Sequence, residues 1–289
     1  PARLYCLVHQ KEARVSARIR FVLLGSGAVR NNPRRGGPAQ ILVVDDHVLM
    51  FDCGRSACTG LARAGVPAET VDRLLLTHLH FDHVTDVPYF VFVGWNNGRA
   101  RPLRVYGPTG TAQFVERIVR PPFEQDITSR VGHGKDASLL DPDVVDVAAQ
   151  GVVVEERGYR VSTIFTEHAG MPSLAYRVDV GDRRVVITGD GPPSPALTDF
   201  CRDSDLLVSE CSGTAEFLAA QPWGAWHTNP QTLAAMATEA NVQRVVIKHL
   251  VMEDITGDPR DSVRMGDAIR EGYGGEVLVG EDGLSVDIT

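Results

Sequence analysis

The chain has 289 residues, 43% of them hydrophobic and 23% charged, with a formal net charge of −8. That length supports one sizeable core, the acidity argues against nucleic acid as a partner, and no apolar run reaches the ~20 residues that span a bilayer. Its five cysteines (Cys6, Cys53, Cys58, Cys201 and Cys211) are odd in number and form no CxxC pair, which excludes a cysteine zinc finger and a disulfide framework.

Residues 1–20 mix charged and apolar side chains without a long apolar stretch, so they do not read as a signal peptide. Because Pro1 comes first, a processed leader or a truncation stays open, and with it a cytoplasmic or a periplasmic location. The cysteines read as mostly buried free thiols.

Short, β-branched apolar runs then recur at 19–24, 41–44 and 48–51, with Asp45-Asp46-His47 as the turn between the last two. A helix is expected at 59–64, stopped by Gly65, and a strand at 74–76. Residues 109–119 read as a helix ended by Pro121-Pro122. The polar, Pro- and Gly-containing stretch 121–151 reads as a long loop or arm. Strands follow at 152–154, 159–165 and 173–180, and Gly181-Asp182 marks a hairpin into 185–188. Further strands at 206–208 and 245–247 alternate with helices at 228–240 and 261–271. The order predicts an α+β fold: two packed sheets with helices outside, in a single domain over 1–289.

The chemistry concentrates after the strand at 74–76, in Thr77-His78-Leu79-His80-Phe81-Asp82-His83. His78 and His80 lie two apart, so on an extended segment both rings point to one side and can share an ion. Asp82 and His83 follow at a turn and can swing toward a second ion. Imidazole and carboxylate without thiolate suit zinc, with manganese or iron as alternatives. The remaining donors must come from later strand ends, where His168, Asp190 and His249 stand.

HxHxDH, then one His, Asp in Thr188-Gly189-Asp190, and a final His resembles the metallo-β-lactamase fold hydrolases. Leu23-Leu24-Gly25-Ser26-Gly27, residues 35–37, Phe51-Asp52-Cys53-Gly54, Val105-Tyr106-Gly107-Pro108 and Trp226-His227-Thr228 resemble the ribonuclease Z and arylsulfatase-like branch. The resemblance implies a four-layer αββα sandwich and, by family habit, a homodimer. It implies two zinc ions per chain: one on His78, His80 and His168, one on Asp82, His83 and His249, bridged by Asp190. Asp52 would support the motif loop. Glu210 and His227 would form a pair that protonates the leaving group. Phe81 departs from the branch, where a small residue is common, and 121–151 does not match the arm with which ribonuclease Z holds tRNA.

The expected function is a dinuclear metal-dependent hydrolase. A metal-bridging hydroxide, oriented by Asp190 with Asp82 beside it, would attack a small ester-like or activated aromatic substrate, and Glu210 and His227 would supply the proton. Trp95, Trp223 and Trp226 are candidates for an apolar entrance. A ribonuclease Z-type phosphodiesterase is the alternative, and a dehalogenase or lactonase a further one.

Overall fold

The computed structural model describes residues 17–289, so Cys6 and most of the 1–20 reading lie outside the described residues. Its strands are β1 (Ile19–Gly25), β2 (Ala39–Val44), β3 (His47–Phe51), β4 (Arg73–Leu75), β5 (Arg104–Pro108), β6 (Asp143–Val147) and β7 (Gly151–Glu156). They continue with β8 (Tyr159–His168), β9 (Met171–Val180), β10 (Arg183–Ile187), β11 (Leu206–Glu210), β12 (Arg244–Lys248), β13 (Glu276–Val279) and β14 (Ser285–Ile288). They form two seven-stranded sheets, ordered β14-β1-β2-β3-β4-β5-β6 and β13-β12-β11-β10-β9-β8-β7. Both expected hairpins are present, β2–β3 and β9–β10.

Alternating side chains divide the core into layers. Phe21, Leu23, Leu42 and Phe51 meet Tyr176, Val178, Val185 and Val208 between the sheets. The other face of the first sheet packs on the helices Ala57–Arg63, Val87–Asn96 and Thr111–Val119. The other face of the second packs on Pro230–Glu239 and Arg260–Gly272. This is the expected αββα order. The helix Pro230–Glu239 starts where the sequence indicates, with Asn229 and Thr232 closing a capping box and proline in its first turn.

Two departures from the sequence reading matter. Residues 121–151 are not a long loop: they hold the helix Glu124–Gly132 and the edge strand β6. The helix Val87–Asn96 was not anticipated, because apolar residues all around it erase the helical period. Of the cysteines, Cys53, Cys201 and Cys211 are buried free thiols, while Cys58 is half-buried. No helix of the described residues is long and apolar enough to cross a membrane.

The topology gathers chain ends at one rim. β3, β4, β5 and β6 run parallel, as do β10, β11, β12 and β13. β8, antiparallel to β9, runs in the same direction as β10. The segments that leave these strands carry Asp52, His78 to His83, His168, Asp190, Glu210 and His249.

Candidate metal centre

All seven expected donors converge. His78 Nε2 lies 3.0 Å from His80 Nδ1, and His168 Nε2 lies 3.1 Å from the same atom. His249 Nε2 is 3.0 Å from Asp190 Oδ2 and 3.3 Å from Asp82 Oδ2. Asp190 Oδ2 reaches both groups, at 3.4 Å from His83 Nε2, 3.9 Å from His168 Nε2 and 4.0 Å from His78 Nε2. Two donor triads result, His78–His80–His168 and Asp82–His83–His249, with Asp190 between them. As the spacing predicts, His78 and His80 serve one triad. His80 is extended and precedes the short helix Phe81–Val84, which turns Asp82 and His83 toward the other.

The atoms that hold these rings fix which nitrogen faces inward. His168 Nδ1 donates to the Trp226 carbonyl at 3.1 Å, and His83 Nδ1 donates to Asp52 Oδ2 at 2.9 Å. Thr77 Oγ1 stands 3.0 Å from His78 Nδ1 and itself donates to Asp52. Asp52 (φ 55°) and His249 (φ 57°) both adopt the left-handed backbone that non-glycine residues avoid, a local cost tolerated where geometry matters. Gly54 permits the close approach of this loop: a Cβ there would meet the Asp82 carbonyl oxygen at 2.2 Å.

The centre has the electrostatics of a cation site. Burial pushes the His78, His80 and His168 imidazoles below their usual value, so they stay neutral and offer lone pairs. Burial would lower His83 and His249 too, but Asp190 outweighs it, with Asp52 helping at His83 and Asp82 at His249. His83 is held up at about 9, and His249 well above the ordinary imidazole. Burial opposes the charge on Asp82, yet His249 and His83 hold its carboxyl at about 2. Among the described residues, His83 Nε2 and Asp190 Oδ1 are buried without a hydrogen-bond partner. Orphaned buried donors, clustered neutral imidazoles and hard carboxylates together fit divalent metal.

Beside the triads stands the Glu210–His227 pair. Glu210 is fully buried, and its Oε1 accepts from Gly191 N at 3.0 Å and Thr228 N at 2.9 Å and lies 3.2 Å from His227 Nδ1. Burial would lower His227, but the Glu210 carboxylate raises it above the ordinary value. Sequence reasoning missed Ser212, whose hydroxyl donates to Glu210 Oε2 at 2.6 Å and lies 3.0 Å from His227 Nδ1 and 3.1 Å from His249 Nδ1. A lone serine two residues after the glutamate carries no signal of its own.

The triads open into a cleft of about 340 Å³. Trp223 and Trp226 line it as expected, and so do Phe81 and Val29. Phe81, the departure from the branch pattern, stands 63% exposed at the cleft. Trp95 is not part of the entrance: it is buried against the first sheet's helices, with its Nε1 donating to the Asp136 carbonyl at 2.7 Å.

The Ser26–Gly37 loop that carries Val29 is tightly held. Arg35 pairs with buried Glu253 at 2.8 Å and donates to Ser26 Oγ at 2.7 Å. Asp282 accepts from Ser26 N, Ser26 Oγ and Gly36 N. Arg30 and Arg34 are exposed on the same loop.

Comparison with known proteins agrees with this geometry. The family model of the Metallo-beta-lactamase superfamily matches residues 34–196. Ribonuclease Z of Mycobacterium marinum is 29% identical over 280 residues, covering 93% of this chain and 99% of the relative. Ribonuclease Z of Mycobacterium avium is 30% identical over 275 residues, covering 91% and 96%. In fold, the metallo-beta-lactamase fold protein YhfI from Bacillus subtilis superposes with a TM-score of 0.74 at 19% identity, covering 94% of this chain and 100% of that one. Human tRNase Z, short form, gives 0.72 at 22%, covering 93% and 99%.

These relatives overturn the expectation that nucleic acid is not a partner. They are ribonucleases by name, and a whole-chain charge of −8 does not decide the field at one rim, where exposed arginines such as Arg30 and Arg34 act locally. The chain is a metal-dependent hydrolase of the metallo-beta-lactamase superfamily and belongs to its ribonuclease Z branch.

Proposed function

We propose that this chain cleaves phosphodiester bonds in RNA at a dinuclear metal centre. The observation that carries this reading is the Glu210–His227 contact of 3.2 Å beside the converging donors, in a chain similar over nine-tenths of its length to ribonucleases Z. A departing ribose oxygen is a poor leaving group, and a positioned acid helps most there. Two divalent cations would be held by His78, His80 and His168 on one side and Asp82, His83 and His249 on the other, with Asp190 between. The nitrogen-rich donor set favours zinc, with manganese or iron as alternatives. Bound there, they supply Lewis-acid stabilisation and an activated water near neutral pH.

The chain's own groups do the rest. Asp190 orients the attacking water, and Asp82 fixes the His249 ring. Glu210 holds the proton on His227 Nδ1, which leaves Nε2 free to give its proton to the leaving oxygen. The homodimer implied by the resemblance belongs to the same reading and is checked by light scattering.

The test uses a tRNA bearing a single-stranded 3′ extension, with metal-loaded protein. Cleavage that chelator abolishes and that His78→Ala lacks is the expected result. Turnover of an aryl sulfate or a lactone with the RNA left intact would sink the RNA reading in favour of a small-molecule hydrolase, which the apolar walls and modest size of the cleft would suit.

A further inference from the structure

The polar lining of the cleft is His80, Asp82, His168, Asp190, His227 and His249, all already placed in the centre. The remaining wall is entirely apolar: Val29, Phe81, Ala169, Trp223, Trp226 and Val251. Phe81 is 63% exposed and Trp226 43%, although each adjoins a residue of the centre. A soluble protein seldom leaves large rings open beside its reaction site without a use for them.

Both rings are fixed to the chemistry. Phe81 opens the helix Phe81–Val84 between His80 and Asp82, so its backbone position is set together with those two donors. Trp226 ends the short turn Gly224–Trp226, and its carbonyl accepts from His168 Nδ1 at 3.1 Å. Trp223 forms the back of the wall, edge-on to His227 with ring centroids 5.4 Å apart and to Phe217 at 6.1 Å.

We propose that Phe81 and Trp226 form a stacking pocket for one unpaired nucleobase flanking the scissile phosphate, with Val29 and Trp223 as its walls. This rests on the RNA reading above and adds to it a rule of selection. A cleft of about 340 Å³ takes a single nucleotide unit rather than a helical stem, so the reacting nucleotide enters unpaired. Among the described residues, no side-chain amide or guanidinium lines the wall to read a base edge. Recognition is therefore by ring area, tolerant of base identity and intolerant of a missing base.

The experiment compares two RNAs with the same 3′ extension, one natural and one with an abasic nucleotide beside the cleavage site. They are tested against the wild type, Phe81→Ala, Trp226→Ala, Phe81→Tyr and Trp226→Phe, with metal content measured for each. The abasic change should raise the wild-type KM by about 5–150-fold, as expected for loss of one stacked base. Either alanine variant should raise KM for the natural RNA by a similar factor and add little on the abasic RNA, and the ring-retaining variants should restore the wild-type values.

If the wild type cleaves both RNAs with the same KM, the pocket is refuted while the ribonuclease survives. If the wild type cleaves no RNA but turns over an aryl ester whose KM rises in the alanine variants, both readings fall and the cleft serves a small aromatic group.

Discussion

Glu210 and His249 share one hydroxyl: Ser212 Oγ lies 2.6 Å from Glu210 Oε2 and 3.1 Å from His249 Nδ1. The Glu210–His227 pair and the Asp82–His83–His249 triad are thus joined by a single small side chain. Replacing Ser212 by Ala leaves His249 Nδ1 and Glu210 Oε2 each short of a partner, at a cost of about 1–3 kcal/mol. Ser212→Ala should lower kcat by about 10–100-fold while metal content measured by mass spectrometry stays near two ions per chain. Unchanged kcat would show that the hydroxyl is structural only.

Asp52 sets the His83 tautomer through the 2.9 Å bond to Nδ1 and also receives Thr77 N at 2.8 Å. Asp52→Asn removes the charge that makes His83 a strong donor. Metal affinity should fall about 10–100-fold, read by competition with a chromogenic chelator. Wild-type affinity in the variant would disprove the supporting role.

The raised His227 gives a pH signature. The group must be protonated to act, so its contribution is complete at low pH and is lost as pH rises through its elevated value. In Glu210→Gln the charge that holds the proton is gone, and the descending limb of kcat should move to lower pH. His227→Ala should lose the limb and about 10²–10⁴-fold in kcat. A limb that stays put in Glu210→Gln argues for a different acid.

Metal loading should release protons. His83, held near 9 by Asp190 and Asp52, carries a proton at neutral pH in the metal-free chain, and a cation must displace it. Affinity should therefore climb as pH rises from 6 toward 9. Calorimetry in buffers of different ionisation enthalpy counts the released protons; a flat profile contradicts this charge balance.

Arg35 and Glu253, 6% and 0% exposed, lock the loop that carries Val29. Arg35→Ala removes the buried partner of Glu253 Oε2 and leaves the carboxylate only the half-exposed Arg34 at 3.0 Å, which should cost about 1–3 kcal/mol in denaturant unfolding. A loss below 1 kcal/mol would mean that the loop is held by its other contacts, Asp282, Asp254 and the Arg34–Glu253 pair.

The candidate metal donors are legible because four lie within six residues and the other three stand at strand ends, where parallel topology brings them to one rim. What hid the rest was local. β6 carries Asp143 and Asp146, which look like loop residues, yet an edge strand tolerates them, and Asp146 accepts from Gly110 N and Ala112 N at the start of the helix Thr111–Val119. The helix Glu124–Gly132 buries only Ile127, too little for a period. Trp95 follows an all-apolar helix into the core, while the other two tryptophans sit in a loop at the rim. Net charge misled for a simpler reason: a sum over 289 residues carries no position.

The donors from residues 78 to 83 hang from the first sheet, and those at 168, 190 and 249 from the second. A cation pair seated among them is therefore also a rivet across the sandwich, closing chain loops that span most of the sequence. Stripping it should unclamp one rim of both layers together, so a starved cell would lose this protein to proteases as well as its catalysis.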